Sequence, residues 1–216
     1  NIVAGDRLAS SLTLGQFVKA IASFLAPIIA AWAVVTFGDW KMLFPIFGVV
    51  AIVAAAILFV TNIKEQPIEG KQSTFTECFG LLKDKLVFML FLGILVHVGV
   101  DVGINLTAPK LLMERLNMTL ADAGYSTSLY FLFRTLGCFS GAIILARFSA
   151  KKFFIISVAA MVIAVAGLYF GNSLLSLYIC VALIGFGNSN VFSIMFSQAL
   201  LHLPKRNNEI SGLMVM

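Results

Sequence analysis

Three polar residues stand four positions apart in the apolar stretch LVHVGVDVGINL, residues 95–106. They are His97, Asp101 and Asn105, and a helix turns once in about 3.6 residues, so all three fall on one narrow face. A histidine and a carboxylate one turn apart can share a proton. If their neighbours change with conformation, they can also bind and release it near neutral pH. The spacing therefore makes His97 and Asp101 candidates for proton coupling.

Two further charged residues, Lys19 and Arg134, interrupt other apolar runs at a similar depth. At about 1.5 Å per residue, Lys19 lies roughly 14 Å from the edge of its run, and His97 and Arg134 lie roughly 16 Å from the edges of theirs. Ionisable groups in a membrane usually face a bundle interior or an aqueous cavity. We therefore expect these groups and Asp101 to share a cavity near the middle of the bilayer. The alternative is a buried ion pair of Asp101 with Arg134 or Lys19 that only fastens helices together.

Amide side chains add candidates for binding a polar solute. Gln16 lies on a polar stripe of the first run, and Asn188 and Asn190 follow the glycines of GFGNSNVFSIMFSQ. Amides both donate and accept hydrogen bonds, which suits them to sugar hydroxyls. The predicted substrate-binding residues are Gln16, Lys19, Asn105, Arg134, Asn188 and Asn190. Rings that could stack on a sugar face are Phe17, Tyr130, Phe133, Phe192 and Phe196.

The composition requires a lipid environment. Of the 216 residues, 60% are hydrophobic and 12% are charged, and the mean hydropathy is +1.01. A soluble domain carries about 25% charged residues, so a water-soluble core cannot account for this much apolar surface. The net charge of +5 is therefore assigned to the loops of a membrane protein, and nucleic acid is not an expected partner.

The sequence carries no catalytic or metal-binding signature. Cys78, Cys138 and Cys180 lack metal-ligand spacing, and no Walker A loop, HExxH, CxxC or nucleophile elbow is present. We therefore expect no enzyme activity, no metal and no cofactor. A membrane-embedded enzyme is the least favoured interpretation.

Six apolar runs approach or exceed the 20 or so residues that a membrane-spanning helix needs. The sequence thus predicts an all-α membrane protein with six transmembrane helices and the start of a seventh near residue 210. The predicted runs are 10–36, 42–62, 86–109, 124–146, 153–170 and 174–201.

The basic residues of the loops predict the orientation. Ten of the loop Lys and Arg residues fall on one side and three on the other, so the chain is expected to enter from the cytoplasm at residue 1. The segments predicted to be cytoplasmic are 63–85, 147–152 and 202–209.

The longest polar stretch, NIKEQPIEGKQSTFTECFGLLKDK, separates two spans from four. We interpret it as a linker between two helix bundles, with a short amphipathic helix at 75–84, although its composition fits an ordinary cytoplasmic loop equally well. The predicted organisation is two spans in 1–62, a cytoplasmic linker in 63–85, and four spans plus the start of a fifth in 86–216. The chain is expected to be part of a longer protein.

Two stretches, KLVFMLFLGILVHVGVDVGINLTAPKLL and FGNSNVFSIMFSQALLHLPKRNNEISGLMVM, together with the linker, resemble the major facilitator superfamily. Within it they are most similar to the fucose–galactose–glucose proton symporters, the fucose-permease group. The resemblance covers essentially the whole chain and places its six spans as the fifth to tenth of twelve, a partial major facilitator fold.

The segment LARFSAKKFF is similar to the second copy of the cytoplasmic loop signature of that superfamily, roughly L-A-D-R-x-G-R-R. Arg147, Lys151 and Lys152 match its basic positions. Ala146 stands where the signature has Asp and Ser149 where it has Gly, so the copy is degenerate.

The resemblance implies a proton-coupled sugar importer that rocks two six-helix halves around a site at the membrane midplane. Its partners would be a monosaccharide, protons and lipid, with the proton gradient as energy source. The expected setting is a monomer in a bacterial cytoplasmic membrane. The principal proton-linked acids of the family lie in spans that the resemblance places outside this chain. Asp101 corresponds to an acidic position of the seventh span.

Three alternatives stay open from the sequence. Lys19 is less expected in a neutral-sugar site and favours an organic anion such as a sugar acid. The same machinery running outward would be an exporter of drugs or metabolites, against which the paired amides argue. A non-transporting membrane sensor would need a signalling domain elsewhere in the gene.

Overall fold

The structure is a computed structural model that describes residues 8–61 and 74–216, and every regular element in them is a helix. Apolar segments of this length form helices in a bilayer because a helix satisfies its own backbone hydrogen bonds where water is absent. The helices are α1 (Leu8–Phe37), α2 (Leu43–Val60), α3 (Phe75–Gly80), α4 (Lys85–Leu116), α5 (Leu120–Leu145), α6 (Ala150–Phe170), α7 (Leu174–Asn188), α8 (Val191–His202) and α9 (Asn207–Val215).

Six segments of the described residues are long and apolar enough to cross a membrane, which confirms the predicted all-α architecture. Five of them lie in the single helices α1, α2, α4, α5 and α6, and the sixth is the pair α7–α8. The predicted run 86–109 continues as α4 to Leu116, because charged residues lower the hydropathy without ending a helix. The predicted run 174–201 is divided after Asn188. The seventh run expected near residue 210 corresponds to α9.

The chain divides into two compact units. The second unit covers 23–72, is described to residue 61, and holds the end of α1 together with α2. α2 contains no buried residue, and its side chains Ile52 and Phe59 are 70% and 94% exposed. A surface of this kind is stable against lipid, because in water it would be penalised by about 25 cal/mol per Å².

The first unit covers 1–22 and 73–216. Within it α7 packs against both α5 and α6, while α4 packs against α5, α7 and α8. The two larger clusters of buried side chains form most of its core. One includes Ile104, Leu112, Tyr130, Leu177 and Ile184, and the other includes Val87, Ile94, Met195, Phe196 and Ile210.

Polar contacts fasten the helix ends of the first unit. Asp84 caps α4 by accepting hydrogen bonds from the backbone N–H groups of Leu86 and Val87, and its other carboxylate oxygen lies 3.0 Å from Nε2 of His202 at the end of α8. At the opposite end of α4, Arg115 donates hydrogen bonds to carbonyl groups at the C-terminus of α6. These contacts satisfy backbone groups that a helix end leaves without an intrahelical partner.

The predicted linker, 63–85, is described only from Thr74, and residues 1–7 and 62–73 lie outside the described part. Thr74 and Glu77 form a capping box that starts α3. α3 and the 3₁₀ turn that follows it to Lys83 match the short helix predicted at 75–84. The division of the chain into two halves and a linker stays a prediction.

Candidate functional site

A cavity of about 690 Å³ lies in the first unit and is lined by residues of α1, α4, α5, α8 and α9. Its size falls within the range of about 300–1,000 Å³ typical of small-molecule sites. Its polar lining residues are Gln16, Lys19, His97, Asp101 and Arg134. Five of the predicted site residues, from three helices that are distant in the sequence, therefore meet at one cavity.

Asp101 is the centre of the polar network at this cavity. Arg134 forms an ion pair with its Oδ1 atom, and the hydroxyl of Tyr130 donates a hydrogen bond of 2.6 Å to the same oxygen. Arg134, one of the two cations between which the sequence left the choice open, is thus an ion-pair partner of Asp101. Arg134 is 5% exposed, and a buried guanidinium requires a paired and hydrogen-bonded anion of this kind.

The two carboxylate oxygens of Asp101 have different surroundings. Oδ1 accepts the hydrogen bonds of both Tyr130 and Arg134, and neither of these two groups bonds Oδ2. The Asp101 side chain is 24% exposed and lines the cavity. Oδ2 is therefore the oxygen available to a solute hydroxyl or to a proton.

His97 lies one turn before Asp101 and is 6% exposed. Its Nδ1 atom makes no hydrogen bond of ordinary geometry within the described residues. The ring interacts electrostatically with Arg134, Asp101 and Lys19, and its centroid lies 6.2 Å from that of Phe192. A buried imidazole that lines the cavity one turn from a carboxylate is suited to exchange a proton with the cavity.

Aromatic side chains of α8 form part of the cavity wall. Phe192 and Phe196 both line it, and their rings are stacked with centroids 5.5 Å apart and planes inclined by 15°. Of the other predicted rings, Phe17 packs on Phe139 with a centroid distance of 5.5 Å, and neither it nor Phe133 lines the cavity. A flat aromatic wall can contact the apolar face of a sugar ring, and the hydrogen-bonding groups next to it can bind the ring hydroxyls.

The three asparagines expected at the substrate lie outside this cavity. Asn105 donates from Nδ2 to the backbone carbonyl of Asp101 over 2.7 Å. Asn188 donates to the hydroxyl of Tyr130, and Asn190 donates to the carbonyl of Gly137. Asn188 and Asn190 are completely buried. These amides support the residues around the cavity in this conformation, and their contact with a substrate stays a prediction.

A second cavity of about 610 Å³ is also lined by His97 and lies among α4, α6, α7 and α8. His97 and Asn188 are its polar lining residues, and the remaining lining consists of Gly, Val, Leu, Met and Phe. His97 lines both cavities and therefore separates the polar space from an apolar one.

The basic residues of the loop signature lie apart from the cavity. Arg147 follows α5, and Lys151 and Lys152 lie in the first turn of α6, where all three are exposed. Positive charges at a helix N-terminus are unfavourable toward the helix dipole, so helix stability does not account for the two lysines. Their predicted part in the loop signature stays a prediction.

Tyr130 is the functional residue whose role the sequence did not predict. Its ring was a stacking candidate, but the structure uses its hydroxyl, which connects Asp101 with Asn188. One signal could have identified it, because Tyr130 precedes Arg134 by four residues and so shares a helix face with it.

Comparison with protein families identifies the chain. The family model of the Major Facilitator Superfamily matches residues 1–216. No curated protein and no solved structure matches the chain.

Proposed function

The chain belongs to the major facilitator superfamily, whose members are membrane transporters rather than enzymes, and from this membership we propose that it is part of a proton-coupled symporter that imports a sugar. The observation that carries the proposal is the convergence of Gln16, Lys19, His97, Asp101 and Arg134 on one cavity. Polar groups inside a membrane are costly, and a solute pathway is their usual function.

The chemistry of the cavity suits a hydroxylated solute. Gln16 supplies an amide that both donates and accepts, and Oδ2 of Asp101 accepts a hydrogen bond. The stacked rings of Phe192 and Phe196 provide an apolar wall for one face of the sugar ring. Specificity would arise from the polar groups, because a site built to bond a hydroxyl rejects analogues that lack it.

Proton coupling is assigned to Asp101 with His97 as its neighbour. Arg134 pairs with Oδ1 of Asp101 in this conformation, and we expect protonation of the carboxylate to accompany a movement of the guanidinium away from it. A change of conformation that loosens this pair would let Oδ2 take a proton from the cavity. His97, one turn away, is placed to relay that proton.

The finer assignment is part of the same proposal. The six spans would be the fifth to tenth of a twelve-span transporter of the fucose-permease group, monomeric in a bacterial cytoplasmic membrane. Residue 1 would face the cytoplasm, since ten of the thirteen loop Lys and Arg residues fall on the side assigned to it. The proton gradient would be the energy source, without a bound cofactor.

Uptake by the full gene product in proteoliposomes tests this function. Labelled hexoses, 6-deoxyhexoses and hexuronates are offered with and without an inward proton gradient. We expect gradient-driven accumulation of a neutral sugar and its loss in Asp101→Asn. Asp122→Asn, at an exposed carboxylate near the start of α5, is the matched control and should accumulate normally. Gradient-driven uptake that survives in Asp101→Asn would exclude Asp101 as the proton carrier.

The charges of the cavity favour one second candidate, an organic anion such as a sugar acid. Lys19 and Arg134 bring two positive charges to the lining and Asp101 brings one negative charge. A hexuronate that outcompetes the neutral hexoses would support this candidate. Lys19→Gln should then weaken hexuronate uptake, whereas Lys110→Gln, at an exposed position of α4, should not.

A further inference from the structure

The last candidate span is interrupted by a turn of two residues. α7 ends at Asn188 and α8 begins at Val191, with Ser189 and Asn190 between them. Asn188, Ser189 and Asn190 are at most 1% exposed. Buried polar groups away from water need protein partners, so the interruption depends on the helix against which it packs.

That helix is α5, which bonds both residues of the interruption. Sγ of Cys138 donates to the carbonyl of Ser189 over 3.4 Å, and Nδ2 of Asn190 donates to the carbonyl of Gly137 over 3.0 Å. The close approach requires a small residue on α5, since a Cβ atom at Gly137 would meet the Ser189 side chain at 2.5 Å. The geometry of the interruption is therefore determined by α5.

Tyr130 adds a side-chain contact that joins the residues at the interruption to an ionisable group of the cavity. Its hydroxyl accepts a hydrogen bond of 2.8 Å from Nδ2 of Asn188 and donates one of 2.6 Å to Oδ1 of Asp101. A phenol has a single proton to donate. Because that proton is directed to Asp101, a lone pair of the same oxygen is directed to Asn188.

The interruption also determines where the aromatic wall of the cavity stands. Phe192 is the second residue of α8 and Phe196 follows one turn later, and both line the cavity. A small rotation at Ser189 and Asn190 would therefore displace both rings relative to the solute.

We propose that Tyr130 is a positioning residue of transport, whose hydroxyl transmits the charge of Asp101 to the interruption between α7 and α8; this role rests on the proposed symport. With Asp101 ionised, the O–H bond of Tyr130 stays directed at Oδ1, and the phenol oxygen continues to accept the hydrogen bond from Asn188. When Asp101 is neutralised, the hydroxyl is held less strongly, its hydrogen bond from Asn188 weakens, and α8 can rotate.

The charged and titratable groups around Asp101 set the conditions for this switch. Arg134 on α5 pairs with the same oxygen as Tyr130, His97 lies one turn away on α4, and Lys19 on α1 lines the same cavity. Neutralisation of Asp101 therefore also releases Arg134, which makes a matched variant of the pair necessary in the test.

The test measures alkylation of Cys138 by N-ethylmaleimide in the full gene product, in nanodiscs at constant pH. Cys138 is 0% exposed and bonded to Ser189, so its alkylation requires the interruption to open. We expect Asp101→Asn to raise the rate about tenfold, because hydrogen bonds to a charged acceptor are roughly twice as strong as neutral ones. Site-resolved mass spectrometry provides the half-buried Cys180 as internal reference.

A double-mutant cycle separates transmission through Tyr130 from a general loss of packing. In a Tyr130→Phe background, Asp101→Asn should raise the Cys138 rate no further. In a Tyr125→Phe background, which removes a 67% exposed tyrosine hydroxyl of the same helix, the full increase should persist. Equal increases in all backgrounds would overturn the proposal, and so would an unchanged Cys138 rate in Asp101→Asn.

If Asp101→Asn alone fails to fold because Arg134 is left buried without a counterion, the double variant Asp101→Asn with Arg134→Gln replaces it. This variant removes both charges together, and the same cycle with Tyr130→Phe decides the outcome. Transport supplies a separate readout, in which Tyr130→Phe should lower kcat with little change in KM. A wild-type protein without uptake would reject the proposed function, while the alkylation cycle would still decide the link through Tyr130.

Discussion

At the scale of single residues, few charged side chains lie deep within the membrane-spanning helices, and two of the deepest form an ion pair. Asp101 and Arg134 belong to neighbouring helices, and their ion pair uses only Oδ1 of a carboxylate that lines the cavity. A purely structural pair would need no open oxygen and no imidazole beside it. The asymmetry of Asp101 therefore favours a functional role over the simple fastening of two helices.

Replacement of Arg134 by Gln should destabilise the protein strongly. The partly buried Asp101 would lose its counterion, and breaking one side of a buried pair costs about 3–5 kcal/mol. Arg147→Gln is the control, because Arg147 is exposed and surface substitutions usually change stability by less than about 0.5 kcal/mol. Thermal unfolding of both variants in nanodiscs measures the difference. Equal midpoints would show that the pair contributes nothing to stability.

Much of the cavity could be predicted from residue type and depth alone. Lys19, His97, Asp101 and Arg134 were expected to meet because each is an ionisable residue near the middle of an apolar run, and all four line one cavity. Depth along a helix axis gives no rotation about it, however. Asn190 has the right depth but faces α5, which only the packing of two helices determines.

At the scale of helices, the contact between α5 and α7 depends on glycine. A Cβ atom at Gly185 would collide with the backbone carbonyl of Tyr130, and one at Gly141 would collide with the side chain of Asn190. Without water between helices, association in a bilayer relies on van der Waals packing and hydrogen bonds, which small residues permit. These glycines therefore hold Tyr130 and Asn190 at hydrogen-bonding distance from their partners.

Gly185→Ala should separate α5 from α7, because the atom it meets is backbone and cannot turn aside. Overpacking of this kind costs about 1–3 kcal/mol. Gly99→Ala is the matched control, since a Cβ atom there meets nothing within 4 Å and alanine favours a helix over glycine by about 1 kcal/mol. The two variants should thus shift the unfolding midpoint in opposite directions. A gain of stability in Gly185→Ala would contradict the packing.

Arg115 should be required for the junction of α4 with α6. Its Nη1 atom donates to the carbonyls of Leu168 and Gly171 over 2.8 and 2.6 Å, where α6 ends. Arg115→Leu leaves these carbonyls without that donor and should cost about 1.5–3 kcal/mol, the usual worth of hydrogen bonds to a charged group. Lys110→Leu, at an exposed position of the same helix, should change stability little. Urea or SDS unfolding compares the two variants, and equal losses would exclude the carbonyl contacts as the cause.

At the scale of the whole molecule, hydropathy was sufficient to predict the number of membrane-spanning segments and their helical structure. Six apolar runs gave six spans because bilayer thickness determines how many apolar residues a crossing needs. The interruption at Ser189 and Asn190 was not predicted, since its residues lie within a continuous apolar run. Polar residues inside that run suggested a binding site, whereas in the structure they hydrogen-bond the turn between α7 and α8 to α5.

Contacts between distant parts of the chain also make stability depend on pH. Asp84 immediately precedes α4. Its hydrogen bond with His202 is the largest cause that holds the pKa of Asp84 below its ordinary value of 3.8, and the hydrogen bond from the backbone of Val87 is the second. A carboxyl whose pKa is lower in the folded state stabilises the fold above its unfolded pKa, and that stability is lost as the pH falls through the folded pKa.

Asp84→Asn should therefore lower the unfolding midpoint near neutral pH and make it less sensitive to acid below about pH 4. Asparagine caps a helix about as well as aspartate, so the substitution removes the charge and preserves the start of α4. The difference from wild type should shrink as the pH falls, because the wild-type carboxyl becomes neutral too. Glu114→Gln, at an exposed carboxylate of the same helix, should run parallel to wild type. A difference between wild type and Asp84→Asn that stays constant from neutral pH to about pH 3 would assign the effect to packing rather than to the charge, because Asp84 is then largely protonated in the unfolded chain.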